Sequence, residues 1–122
     1  MILDISQYQG NINWAAARSG LDLVIFRATI GANTDSKYYQ NAKECNLPFG
    51  VYHYLKASNA MEAQIEAQFF YAQATAAAVQ PQFFIVDIEH KTQNQSNVFD
   101  ITTRFAETLR SLTNKKIGIY IG

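Results

Sequence analysis

Residues 82–90, with the sequence QFFIVDIEH, form an apolar run that ends in two carboxylates, Asp87 and Glu89. The run is rich in aromatic and β-branched residues, which is typical of a strand buried on both faces of a parallel sheet. Because side chains on a strand alternate with period two, the two carboxylates point to the same side, with Cα atoms roughly 7 Å apart. Ligands of α/β folds bind at the carboxyl ends of strands, so this strand end is a candidate chemical site.

Apolar segments predict four further strands, at residues 1–5, 21–28, 49–55 and 115–121. Helical spacing of apolar residues predicts helices at residues 13–18, 35–46, 59–79 and 98–112. The helix over 59–79 is predicted to be amphipathic, with an apolar face made of Met61, Ile65, Phe69, Ala72, Ala76 and Val79. Strands that alternate with helices predict an α/β fold with a parallel sheet and right-handed crossovers.

Two architectures satisfy this order of elements: an open, doubly wound sheet of five strands, or the first part of a (β/α) barrel. The length of 122 residues favours the open sheet, because an eight-fold barrel needs about 200 residues or more. The chain stops at Gly122 directly after a predicted strand, with no helix to cover it. We therefore expect a chain that is cut within a longer fold.

The composition narrows the set of partners. Lys plus Arg and Asp plus Glu both number 10, so we expect no nucleic-acid partner. No apolar stretch reaches the length of a membrane span, and residues 1–4 show no basic region followed by a long apolar one, so neither membrane insertion nor a signal peptide is expected. The single cysteine, Cys45, excludes an intrachain disulfide and gives no metal-site spacing.

Six motifs stand in order along the chain: Asp4-Ile5-Ser6, Gln9-Gly10, Ile12-Asn13-Trp14, Phe26-Arg27-Ala28-Thr29 with Gly31, Gly50-Val51-Tyr52-His53-Tyr54, and Asp87-Ile88-Glu89. Their order and spacing resemble those of the glycoside hydrolase family 25 muramidases, the Chalaropsis-type lysozymes common as phage endolysins and bacterial autolysins. The resemblance runs from residue 1 to residue 122. Each motif alone is weak, and their succession in register makes the signal specific.

The resemblance implies a flattened (β/α)5β3 barrel, of which this chain would form the first five βα units. It also implies hydrolysis of the β-1,4 bond between N-acetylmuramic acid and N-acetylglucosamine in bacterial peptidoglycan, with net retention and with no metal or organic cofactor. The protein would act on the bacterial cell wall, which it would reach by phage-lysin release or by another secretion route.

Members of the family continue beyond the position of Gly122, so the chain resembles an incomplete catalytic domain. It would be a truncated chain, a cleavage product completed by a C-terminal fragment, or an oligomer in which a second copy completes the barrel. We favour a fragment of a full catalytic domain.

Glycosidic hydrolysis needs one carboxylic acid to protonate the leaving oxygen and a second carboxylate to stabilise the positive centre. We assign Glu89 as the general acid, and we expect burial and the charge of Asp87 to raise its pKa. Asp87 would remain ionised, either as the nucleophile or as the group that orients the N-acetyl group of the substrate. By motif match, Asp4 would be a supporting carboxylate across the site.

Tyr52 matches a family position that lines the sugar groove, where a tyrosine both stacks on a pyranose and donates a hydrogen bond. Tyr120 would line the groove likewise. His53 alternates with Tyr52, so we interpret it as a structural histidine on the opposite face. Arg27 is interpreted as an interior ion-pair partner for one of the site carboxylates, with a solvent-facing position as the alternative. We expect Trp14 in the core.

Two other classes of function remain open on the sequence. One is a cell-wall-binding module that keeps the groove without cleaving. The other is a Mg²⁺-dependent phosphotransfer domain that uses Asp4, Asp87 and Glu89 as oxygen ligands. The chain contains no phosphate-loop motif, which argues against the second class.

Overall fold

The computed structural model of the protein describes residues 2–122, and the predicted beginning of the first strand at Met1 lies outside them. The strands are β1 (Ile2–Ile5), β2 (Leu23–Ile30), β3 (Asn33–Thr34), β4 (Phe49–Tyr54), β5 (Phe83–Ile88) and β6 (Lys116–Ile121). The helices are α1 (Trp14–Ala17), α2 (Tyr38–Glu44), α3 (Ala60–Thr75) and α4 (Val98–Leu112), and a short 3-10 helix covers Gln7–Gln9. Within residues 2–122, no helix combines the length and apolar character that crossing a membrane requires.

Five of the strands form a parallel sheet in the order β1-β2-β4-β5-β6, and β3 pairs with β2 in the antiparallel direction. The alternation of parallel strands and helices confirms the predicted α/β class. Because these five strands are parallel, their carboxyl ends lie at one edge of the sheet.

The strand β3 is a feature that the sequence patterns missed. Gly31, with a φ of 56°, reverses the chain after β2 so that Asn33 and Thr34 pair back onto it. A left-handed backbone conformation of this kind favours glycine. The hairpin also carries β2 to Ile30, two residues beyond the predicted end of that strand.

One face of the sheet packs against α3 and α4 and contains the hydrophobic core. Its buried strand residues include Val24, Phe26, Val51, Phe84, Val86 and Ile88. Phe70 of α3 lies edge-on to Phe84 at 5.5 Å between ring centroids and stacks on Phe105 of α4 at 6.2 Å. Trp14 contacts the ring of Phe26 edge-on at 5.8 Å, which confirms its predicted core position.

The predicted apolar face of the third helix is wrong. Met61 is 71% exposed and Ile65 is 59% exposed. The side of α3 that packs on the core is instead made of Ala63, Glu66, Ala67, Phe70 and Ala74. Small alanine side chains let the helix approach the sheet closely. The acid on this face, Glu66, is paired with the buried His53 of β4. The spacing of the larger apolar residues therefore predicted as buried the face of α3 that is exposed to solvent.

The other face of the sheet carries the second set of alternating side chains. A glycine is required at one point on it, because a Cβ atom at Gly50 would lie 2.2 Å from the ring of Phe83 on the neighbouring strand. The absence of a side chain at Gly50 leaves the space that the ring of Phe83 fills. Closer to the carboxyl ends of the strands, this face becomes polar.

Replacement of two α3 residues tests the observed orientation of the helix. Phe70→Ala should lower the free energy of unfolding by about 3–5 kcal/mol, because it opens a cavity between three packed rings. Ile65→Ala should change it by less than about 1 kcal/mol, because the side chain is already in solvent. Urea denaturation of both variants checks this, and equal losses would contradict the orientation.

Candidate active site

A cavity of about 400 Å³ opens at the carboxyl ends of the strands, on the face opposite the helices. Its lining residues come from five strands or strand ends: Asp4, Ile25, Tyr52, Ile85, Asp87, Glu89 and Tyr120. The structure thus brings together the three acids and two tyrosines that were predicted from the sequence to share one site. A smaller recess of about 180 Å³ adjoins it, and Glu89 lines both.

Strand register is the reason that these side chains meet. Directly paired residues on neighbouring parallel strands point to the same face of a sheet. Asp4 is paired with Ile25, Tyr52 with Ile85, and Asp87 with Tyr120. Segments far apart in sequence therefore present one continuous surface, apolar at its floor and acidic at its rim.

Asp87 is the acid most altered by its surroundings. Burial, the hydrogen-bonding contact with Glu89 and the negative charges of Glu89 and Asp4 raise its pKa to about 7, with burial as the largest cause. Its Oδ1 atom is buried and has no hydrogen-bond partner among the described residues. The pair of acids at the end of β5 therefore keeps a proton up to about neutral pH.

This distribution of burial corrects the sequence-based expectation. Asp87 lies within β5 and is half-buried, whereas Glu89 follows the strand and is exposed. The sequence predicts that burial acts on Glu89 and leaves Asp87 ionised, whereas Asp87 is the more buried of the two in the structure. Since desolvation disfavours a charge where water is excluded, the effect falls on the acid inside the strand.

Asp4 lies across the cavity at the end of β1. Partial burial raises the pKa of this carboxyl, and the positive charge of Arg27 opposes that rise. Tyr52 is half-buried between these groups, and burial followed by the charge of Asp4 raises the pKa of its phenol. Its hydroxyl therefore stays protonated and able to donate a hydrogen bond. Tyr120 is 57% exposed at the rim.

Arg27 is interior, as predicted, but its partner is not one of the site carboxylates. Its Nε donates to Oδ2 of Asp35 at 2.9 Å, and both side chains are buried. The backbone N–H groups of Gln7 and Lys37 also donate to Asp35. The sequence placed Asp35 at the start of the second helix, and nothing in its spacing identified it as the buried partner of Arg27.

His53 lies on the helix side of the sheet, consistent with the structural role interpreted from the sequence. Its Nδ1 is 2.6 Å from Oγ1 of Thr29, and its Nε2 is 2.7 Å from Oε1 of Glu66. The ring contacts both Phe70 and Phe105, at 5.5 and 5.4 Å between ring centroids. Burial lowers the pKa of His53, so the neutral ring donates from Nε2 to the carboxylate and accepts from the threonine hydroxyl.

Tyr8 is an aromatic residue near this rim that the sequence interpretation missed. Its side chain is 78% exposed, and the Arg27 guanidinium carbon lies 5.2 Å from its ring centroid. A tyrosine in a short polar loop carries no distinctive sequence signal.

Among the described residues, no group of three or more His, Cys, Asp or Glu side chains is placed to hold a metal ion.

Comparison with known proteins identifies similar chains. The family model for glycosyl hydrolases family 25 matches residues 3–122. Lysozyme M1 of Streptomyces globisporus is 33% identical over 73 residues, which cover 56% of this chain and 24% of that protein.

Several solved structures have similar folds. The catalytic domain of the endolysin ply40, from a bacteriophage of Listeria monocytogenes, aligns with a TM-score of 0.91 at 26% identity, over 99% of this chain and 62% of that one. A glycosyl hydrolase 25 of Streptococcus pneumoniae, described as participating in host cell invasion, aligns with a TM-score of 0.87 at 30% identity, over 99% and 58%. The chain thus spans less than two thirds of these relatives.

The raised pKa of Asp87 predicts a pH dependence of stability. Folding raises this pKa from 3.8 to about 7, so the folded chain binds the proton more tightly than the unfolded chain between these values. The contribution to the free energy of unfolding is therefore complete below about pH 4 and is lost as the pH rises through about 7. Asp87→Asn should remove this decline.

Urea denaturation between pH 4 and pH 8 measures the effect, with Glu107→Gln as the control because that acid is exposed on α4 and lines neither recess. Parallel pH profiles for the parent chain and Asp87→Asn would contradict the assignment of the raised pKa to Asp87.

Proposed function

The chain belongs to glycosyl hydrolases family 25, and from this premise we propose that it is a peptidoglycan hydrolase of the lysozyme type. The bond cleaved is the β-1,4 linkage between N-acetylmuramic acid and N-acetylglucosamine, with net retention. The observation that carries this proposal is the acid pair at the end of β5, which holds a proton near neutral pH inside a cavity open to a polymer.

Glu89 is the proposed general acid. Its side chain is exposed on the wall between the two recesses, where a glycosidic oxygen has access to it. The proton is stored by the pair, because the half-buried Asp87 remains partly protonated up to about pH 7. Hydrogen bonding between the two acids supplies the proton to the member that contacts the substrate.

Asp87 is the proposed stabiliser of the positive centre. When the leaving oxygen takes the shared proton, both acids of the pair are ionised next to an oxocarbenium-like carbon. Asp87 then either attacks that carbon or holds the N-acetyl group of the substrate for attack, and both routes retain the anomeric configuration. Support for this role comes from the position of Asp87, whose side chain lines the cavity next to Glu89.

Three other residues complete the proposed site. Asp4 supports the negative field across the cavity, and its charge contributes to the raised pKa of Asp87. Tyr52 and Tyr120 bind the sugar rings, because each presents an aromatic side chain to the cavity. The site as proposed uses no metal or organic cofactor.

We further propose that this chain forms the first five βα units of a (β/α)5β3 barrel. Support comes from the solved relatives, which align over nearly all of this chain and extend beyond it. On β6, Ile119 is 50% exposed and Ile121 is 68% exposed. A C-terminal segment or a second copy would cover this strand, and the completed protein would act on the bacterial cell wall.

Replacement of the Glu89 carboxyl by an amide tests the proposed proton donor. Glu89→Gln should lower the rate of turbidity loss of purified cell walls by about 10²- to 10⁴-fold, because an amide cannot donate the proton. Glu107→Gln should leave the rate unchanged. Full activity of Glu89→Gln would reject the assignment.

The same assay separates the two alternatives. A cell-wall-binding module would sediment with the walls but would show no activity that Glu89→Gln removes. A Mg²⁺-dependent enzyme would lose its activity in a chelator, whereas the proposed hydrolase would retain it.

The pH dependence of lysis follows from the acid pair. The rate should fall as the pH rises above about 7, because the pair then loses the proton that the leaving group needs. Initial rates on purified walls between pH 5 and pH 9 measure this. A rate that is constant up to pH 9 would show that the pair is not the proton source.

A further inference from the structure

Tyr8 is held over a buried cation with its other side open to solvent. The guanidinium carbon of Arg27 lies 5.2 Å from the centroid of the Tyr8 ring, while the side chain as a whole is 78% exposed. A cation over the face of an aromatic ring is attracted by the ring electrons. One face of the ring is therefore occupied, and the opposite face is available to a ligand.

The turn that carries Tyr8 is fixed by hydrogen bonds. The backbone N–H of Ser6 donates to Oε1 of Gln9 at 2.6 Å, and Oγ of Ser6 accepts from the N–H of Tyr8 at 3.3 Å. The N–H of Gln7 donates to the buried carboxylate of Asp35 at 2.9 Å. These bonds form a capping box anchored to the interior, so the backbone that carries Tyr8 is set before any ligand binds, and the ring rests against Arg27.

The same carboxylate also fixes Arg27, since Asp35 accepts from both the turn and the guanidinium. Ring and cation therefore share one buried anchor. When a ligand stacks on a ring that is already held in place, the protein side chain loses little conformational freedom, which favours affinity.

Tyr8 lies at the same end of the sheet as the acid cavity. Arg27 is paired in register with Tyr52, so the two side chains share the cavity face on neighbouring strands. The turn follows directly from β1, whose residue Asp4 lines the cavity. Tyr120 stands on β6, at the far side of the sheet order. One exposed tyrosine thus lies on each side of the acids.

We propose that Tyr8, backed by Arg27, is a carbohydrate-stacking platform that binds a sugar ring of the glycan remote from the bond that is cleaved. The inference rests on the proposed function and assigns to it a substrate of several linked sugars. The apolar face of a pyranose covers the open face of the ring, and the glycan crosses the acids towards Tyr120. Tyr8 is a positioning residue, and it takes no part in proton transfer.

The test is binding of chitotetraose, the β-1,4-linked tetramer of N-acetylglucosamine, followed by NMR titration in a Glu89→Gln background that prevents turnover. Tyr8→Ala should weaken binding about tenfold, which corresponds to the loss of one stacking contact. Tyr8→Phe keeps the ring and should bind within about twofold of the parent. Phe99→Ala is the matched control, because Phe99 is 76% exposed on α4 outside the cavity lining.

On purified walls, with Glu89 intact, Tyr8→Ala should raise the substrate concentration needed for half-maximal rate and leave the maximal rate close to that of the parent. Thermal unfolding of each variant accompanies both assays, and Tyr8→Ala should match Phe99→Ala in its midpoint. Unchanged binding and an unchanged half-maximal concentration in Tyr8→Ala would overturn the platform.

The outcomes also separate this inference from the proposed function. A parent chain that cleaves walls, with Tyr8→Ala indistinguishable from it, overturns the platform alone. A parent chain that neither binds chitotetraose nor cleaves walls overturns both.

Discussion

The register of the parallel strands is the constraint on which the site depends. It places Asp4, Tyr52, Asp87 and Tyr120 on one face of the sheet although they come from four separate strands. A slip of one residue in any strand would turn its side chain from the cavity into the hydrophobic core. The apolar residues that alternate with the site residues, such as Val86 and Ile88, prevent this slip because they are buried against the helices.

Two buried polar clusters hold the elements that carry the site. On the cavity side, Asp35 joins Arg27 to the turn after β1. On the helix side, Glu66 accepts from the imidazole of His53 and from the N–H of Lys56, and so ties α3 to the end of β4. Removal of one member of such a cluster leaves a buried group without a partner, which costs more than the bond itself contributes. The two clusters therefore hold the elements that form the rim of the cavity in fixed positions.

Sequence reasoning predicted the features that depend on local pattern. The strands, the parallel sheet and the two acids one residue apart follow from the period of two and from the composition of the run that contains them. It failed where a side chain is chosen by a partner distant in the chain. Glu66 faces the core because His53 lies opposite it, and so the larger apolar residues Met61 and Ile65 face solvent. Likewise, the partner of Arg27 is set by the fold of the β2–β3 hairpin. The same limit applies to protonation, since the difference in burial between two neighbouring acids depends on where the strand ends.

The most direct test of the proposed hydrolase activity is the chemical identity of the ends released from purified peptidoglycan by the parent chain. After borohydride reduction, mass spectrometry of the fragments distinguishes a reduced muramic acid end from a reduced glucosamine end. We expect the new ends to be on N-acetylmuramic acid, and we expect Glu89→Gln not to form them. New ends on N-acetylglucosamine, or equal release by the parent and Glu89→Gln, would contradict it.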